Sequence, residues 1–276
     1  MHTTSHARPS SWRRSLALGQ ATSLACLLAQ AQNAQEVVDV PTRPGVIERL
    51  IVLTPTAPKA AVVLMAGGHG GLQISPEGQI RWGEGNFLVR TRKLFAEQGL
   101  MVVVVDAPSD RQGPPFLAGF RQTSEHLADL KAVIAWVRQR AKLPVWLVGT
   151  SRGTQSAAFV ATELASPEGP DGLVLTATIL RDDKSRAVPA LPLPRLKVPV
   201  LVVMHEQDAC AHCNFADTDS VMKQLAGTPR HQLLSFKGGQ TRGDACEAWA
   251  YHGFNGLEGE VVGQIAAWIK GPTPAP

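Results

Sequence analysis

Gly149-Thr150-Ser151-Arg152-Gly153 constrains this chain more than any other segment. It follows the apolar run Val145-Trp146-Leu147-Val148 and precedes a helix-like stretch from Thr154 to Leu164. The pattern is G-x-S-x-G on a strand–turn–helix. Its two glycines let the backbone turn sharply enough to hold a serine in a strained, exposed position. A serine so placed can attack a carbonyl. The helix behind it directs N-terminal N–H groups toward a developing oxyanion.

The flanking sequence alternates strand and helix signals. Arg49 to Pro55, Ala60 to Met65, Met101 to Val105, Leu173 to Thr176, Val200 to Met204 and Gln232 to Phe236 read as strands. Asn86 to Gln98, Ser124 to Lys142, Asp217 to Leu225 and Leu257 to Ile269 read as helices. The β-branched run at Met101 to Val105 has the composition of a strand buried on both faces. Strands alternating with helices imply an α/β fold, a mostly parallel sheet flanked by helices in three layers. Two stretches rich in Pro, Ala107 to Phe120 and Arg181 to Pro199, leave the carboxyl ends of strands, where open α/β sheets place ligands.

A nucleophilic serine needs a base, an orienting acid and an oxyanion hole. His252, in a loop before the last helix, is the candidate base. Asp208, after the strand that ends at Met204, is the candidate acid, holding the useful imidazole tautomer. Glu206, two residues away, competes with it, and Asp106 precedes the serine in the chain. The run Ala66-Gly67-Gly68-His69-Gly70-Gly71 follows an early strand. Its glycine density lets the backbone approach a ligand closely. Gly68 or His69 would give one oxyanion N–H and Arg152, after the serine, the other. No Gly-Lys-Ser/Thr follows these glycines, and G-x-G-x-x-G is lacking, so phosphate-loop and dinucleotide readings fall away. The Arg152 side chain rests on the helix surface or binds a substrate carboxylate. Trp82, Arg111 and Phe116 are candidates for pocket lining.

These residues resemble the α/β-hydrolase superfamily over nearly all of the chain after its leader. The order Ser151…Asp208…His252 is that superfamily's order. The resemblance implies a serine triad, acyl-enzyme chemistry and no cofactor or metal. It is nearest to small, lidless, dienelactone-hydrolase-like and esterase members. Asp208 follows Ser151 by only 57 positions, too few for a large cap domain. The family's His-Gly-Gly-Gly pattern is not present as such, because here histidine follows two glycines.

Residues 1–34 read as an export signal, with a basic start ending at Arg14, an apolar stretch from Leu16 to Leu28, and cleavage near Ala31 or Ala34. A disordered or mitochondrial-type leader is the alternative. Arg13-Arg14 fits a twin-arginine signal poorly, and Ser23-Leu24-Ala25-Cys26 is an imperfect lipoprotein box. The leader holds three arginines and no acid. Without them, 24 of the 27 basic residues face 23 acids, so the net charge of +4 falls to +1. No basic stripe indicates nucleic-acid binding. Residues 35–270 form the expected single domain and 271–276 a frayed tail. No other run approaches the ~20 apolar residues of a membrane span.

Removing the leader removes Cys26 and leaves Cys210, Cys213 and Cys246. An oxidising compartment pairs two of them. If the triad holds, Cys210 and Cys246 lie on the acid and histidine loops, and a disulfide would tie these together at about 3–4 kcal/mol. Cys213–Cys246 and Cys210–Cys213 are the other pairings. A zinc site from Cys210, His212, Cys213 and Cys246 competes with all three. The expected function is a periplasmic or secreted serine hydrolase of a small-molecule ester, lactone or thioester. A peptidase or acyltransferase of the same fold, or a binding protein without catalysis, are the alternatives.

Overall fold

The computed structural model of the chain describes residues 1–2 and 35–272. Apart from its first two residues, the expected leader lies outside the described residues, as does most of the expected tail. Eight strands form one sheet: β1 (Glu36–Arg43), β2 (Val46–Leu53), β3 (Ala60–Met65), β4 (Leu100–Val105), β5 (Val145–Thr150), β6 (Gly172–Thr176), β7 (Val200–His205) and β8 (His231–Phe236). Their spatial order is β1-β2-β4-β3-β5-β6-β7-β8. β1 and β2 pair antiparallel, as do β2 and β4, and every later pairing is parallel.

The apolar runs explain this arrangement. In β3, β4 and β5 every residue is buried. Successive side chains alternate between two cores. Val63, Val103 and Leu147 pack on one face of the sheet, with Leu130 and Val133 of α3 (Ser124–Ala141) and Val160 of α4 (Gly153–Glu163). Val62, Val102 and Trp146 pack on the other, with Phe87 of α1 (Phe87–Arg90), Phe95 of α2 (Arg92–Glu97) and Ile265 of α6 (Glu258–Lys270). A short α5 (Asp219–Gln224) lies between β7 and β8. The result is the expected three-layer α/β architecture. Among the described residues, no helix is long and apolar enough to cross a membrane.

Two elements differ from the sequence-based expectation. The helix expected over Asn86 to Gln98 divides at Thr91, whose backbone (φ −92°, ψ 2°) leaves the helical region. Its hydroxyl donates to the Phe87 carbonyl at 2.6 Å beside its own N–H at 3.1 Å, a back-bond that bends helices. β1 was not expected at all: its burial pattern is mixed, as befits an edge strand paired on one side only.

Leu147 is fully buried on the central strand β5. Leu147→Ala is expected to cost about 3 kcal/mol through lost transfer energy and an unfilled cavity. Urea unfolding followed by tryptophan fluorescence reads this directly, and a loss under about 1 kcal/mol would contradict the packing.

Candidate active site

The site is built at the carboxyl ends of β3, β5, β7 and β8. β5 runs straight into Ser151, which adopts φ +50°. That left-handed value is costly for a residue with a Cβ. It is enforced by close approach on either side. A Cβ on Gly149 would lie 2.5 Å from the Gly153 carbonyl oxygen, and one on Gly153 would lie 2.1 Å from that of Met65. Only glycine fits either position, so the G-x-S-x-G spacing is a steric requirement of this turn. α4 begins directly behind Ser151.

The glycine loop after β3 passes in front of the serine. A Cβ on Gly67 would fall 2.9 Å from the Ser151 Cβ. Among the described residues, the backbone N–H groups of Gly68, His69 and Arg152 have no hydrogen-bond partner. His69 is stacked on Phe116 at 4.2 Å, and its Nδ1 accepts the Gly71 N–H. Burial, with the Arg121 charge behind it, pushes the His69 imidazole below its ordinary pKa. Its ring is held in place within the loop by the Phe116 stack and the Gly71 N–H.

His252 and Asp208 meet across the sheet top. His252 Nδ1 donates to Asp208 Oδ2 at 2.8 Å, and both side chains are buried. The other Asp208 oxygen accepts the Cys210 N–H at 2.9 Å, which fixes the carboxylate. The His252 Nε2 is buried without a hydrogen-bond partner. Ser151 and His252 line one cavity of about 460 Å³, whose wall also carries Gly68, His69, Trp82 and Phe87.

The competing acids have other partners. Glu206 pairs with Lys237 at 2.8 Å and accepts from Ser235. Asp106 is buried and accepts the backbone N–H groups of Leu72, Gln73, Ile74 and Ala107 at 2.6–3.1 Å. It anchors the end of the glycine loop. Of the three pocket candidates, Trp82 lines the cavity. Phe116 sits behind His69, and Arg111 lies over the Phe120 ring at 4.5 Å, so neither lines it. The Arg152 side chain neither lies idle on its helix nor stands free: it pairs with Asp182 at 2.7 Å. Burial alone would raise the Asp182 pKa. The Lys184 N–H, Ser185, Gln155 and Arg152 together hold it well below the usual carboxylate range.

Cys210 and Cys246 are joined by a disulfide, with Cα atoms 4.6 Å apart. It joins the Asp208 loop to the His252 loop. Cys213 is a buried thiol that donates to the Ala177 carbonyl, and burial pushes its pKa up. The His212 Nδ1 faces the Arg181 carbonyl. The four residues of the zinc reading are therefore not assembled as a ligand set.

Arg90 is a residue that sequence reasoning missed. Its guanidinium donates to the carbonyls of Gly85, Ala248 and Gly253 and pairs with Glu258 at 2.9 Å. It holds the histidine loop from outside the cavity. His205 contributes too, stacking on Tyr251, the neighbour of His252, at 4.5 Å. The sequence signal for Arg90 was no more than an arginine beside three apolar residues in the helix expected over Asn86 to Gln98.

The fold is that of the α/β-hydrolase superfamily. A dienelactone hydrolase from Anabaena variabilis superposes with a TM-score of 0.59 at 16% identity, over 86% of this chain and 97% of its own. An esterase from Pyrococcus furiosus gives 0.63 at 12%, over 87% and 93%. A lidless α/β serine hydrolase from Xanthomonas campestris gives 0.54 at 16%, over 87% and 97%. No family profile matches the sequence, and no curated protein matches it.

The disulfide closes a loop with a sequence separation of 36. Cys246→Ser is expected to lower unfolding stability by about 3 kcal/mol. Urea unfolding without reductant measures the loss. Wild type in dithiothreitol should lose the same amount, and equal stability in all three samples would refute the contribution.

Proposed function

We propose that the protein is a serine hydrolase that cleaves carboxylic esters, lactones or thioesters through an acyl-enzyme. One observation carries the reading. The buried Asp208–His252 hydrogen bond ends in an unpartnered Nε2, at a cavity that also holds Ser151 on its strained turn.

In this mechanism Ser151 Oγ attacks the ester carbonyl and His252 Nε2 takes its proton. Asp208 holds the ring in the tautomer that presents Nε2 as acceptor and stabilises the imidazolium. The Arg152 N–H and that of Gly68 or His69 donate to the oxyanion. Collapse of the tetrahedral adduct breaks the bond to the alcohol, which leaves with the proton from His252. Water, deprotonated by His252, then attacks the acyl-serine and releases the acid. The esterases and serine hydrolases that share this fold support the reaction class.

The leader and the disulfide together support export, because such bonds persist in oxidising compartments. We place the mature domain, residues 35–270, in the periplasm or outside the cell.

A fluorophosphonate probe should add one adduct to the wild type and none to Ser151→Ala, read by intact-protein mass. Turnover of p-nitrophenyl acetate should fall by about 10⁴-fold or more in Ser151→Ala and on the order of 10³–10⁴-fold in Asp208→Asn. Unchanged turnover in Ser151→Ala would sink the mechanism.

A further inference from the structure

A second cleft, of about 570 Å³, borders the glycine loop and Arg152, the residue after the serine. Gly68 and His69 line both it and the Ser151 cavity. Its charged lining residues are Arg121, Arg152, Lys184 and Arg186, and no aspartate or glutamate lines it. Asp182 neutralises Arg152. The other three have no carboxylate partner among the described residues. Lys184 and Arg186 are exposed, whereas Arg121 is buried, at 6% exposure.

Arg121 is the unusual member. Its guanidinium donates only to neutral groups: the Ser156 hydroxyl at 3.0 Å and the Ala66 and Gly68 carbonyls at 3.1 and 3.2 Å. A buried charge without a counter-charge is costly. Burial, and then the charge of Arg152, pull its pKa down to about 9. The cations reach the cleft from three directions: the loop before α3, the start of α4, and the loop after β6. Three uncompensated positive charges exceed what one carboxylate would neutralise.

We propose that this cleft is an anion subsite, and that the substrate is an ester whose acid or alcohol part carries a dianionic oxyanion group. The group is a phosphate monoester or a pair of carboxylates. It sits against Arg121, Lys184 and Arg186 while the ester carbonyl lies at Ser151. This specificity rests on the hydrolase reading above, whereas the anion site itself does not.

The turnover arm compares 1-acetylglycerol with 1-acetylglycerol 3-phosphate and O-acetylmalate. At least one dianionic ester should show a kcat/KM tenfold or more above the neutral one, carried by KM and reduced by added salt. Which one wins separates phosphate from paired carboxylates. The double variant Lys184→Ala/Arg186→Ala changes two exposed side chains and should cut that ratio at least tenfold. Lys131→Ala, which removes an exposed charge outside the cleft, should leave the ratio alone. No preference, or a preference the double variant keeps, overturns the proposal.

The binding arm titrates inorganic phosphate and malate into the Ser151→Ala protein by calorimetry. One site that weakens in the added presence of Lys184→Ala/Arg186→Ala supports the subsite, even if wild type hydrolyses no ester. Ester turnover by wild type, with no anion binding and no anionic preference, overturns the subsite and leaves the hydrolase reading standing.

Discussion

Helix α4 starts against the backbone of β3, and the contact leaves no room for a side chain. The Met65 carbonyl oxygen stands where a Gly153 Cβ would be, and the start of the helix stands where a Gly149 Cβ would be. With both ends of the turn pressed so closely, the residue between them takes φ +50°. That conformation costs Ser151 roughly 1–2 kcal/mol. The surrounding packing offsets it: β5 is buried along its whole length, and nine residues of α4 are buried. Because Met65 ends β3, the same contact also fixes where the glycine loop begins. The serine and the loop that faces it are therefore positioned by one steric constraint.

The remaining parts of the site hang on long loops, and polar fasteners hold these. Asp106 gathers four backbone N–H groups and pins the end of the glycine loop. Arg90 gathers three carbonyls, two of them in the histidine loop, and braces against Glu258 of α6. The Cys210–Cys246 disulfide joins the acid loop to the histidine loop. Asp106 and Arg90 act from outside the cavity, whereas Cys246 of the disulfide forms part of its wall. Such support turns loop-borne groups into a fixed constellation. The disulfide sulfur and the Cys213 thiol also pack against the ring itself. One ligand atom each of Cys210, Cys213 and His252 lies within 4.8 Å of the others.

What the sequence disclosed follows from range. Buried parallel strands advertise themselves as apolar runs, so β3 to β7 were legible, and G-x-S-x-G states its own steric reason. Asp208 and His252 were marked out as residues following late strands, and in the fold their side chains lie 2.8 Å apart. The fasteners were not legible. The Arg90 partners Ala248, Gly253 and Glu258 lie 158 to 168 residues away, and no local pattern encodes such a pairing. Asp106 could be read as a competing acid because a strand-end aspartate looks the same in either role. Its partners, Leu72 to Ile74, lie some thirty residues earlier. The break at Thr91 was not legible because the residues around it keep a helical pattern, and only the Thr91 backbone departs from it. β1 escaped because an edge strand lacks the two-faced apolar run that marks the central ones.

Arg121 links the proposed subsite to the proposed oxyanion hole. Its donations to the Ala66 and Gly68 carbonyls brace the loop that presents the Gly68 and His69 N–H groups. A guanidinium has more N–H donors than these bonds and the Ser156 contact use. An anion on the cleft side would therefore share one rigid, planar cation with that loop. The glycine pattern supports the same coupling: a Cβ on Gly70 would lie 2.5 Å from an Arg121 terminal nitrogen, so loop and guanidinium are in close register. Binding energy from a part of the substrate remote from the scissile bond would then bear on the oxyanion donors. Interactions of that kind can raise turnover as well as affinity, provided they tighten as charge develops on the carbonyl oxygen. The buried, uncompensated charge of Arg121 is costly to the free protein. In this arrangement the anion relieves that cost at the moment the serine is engaged.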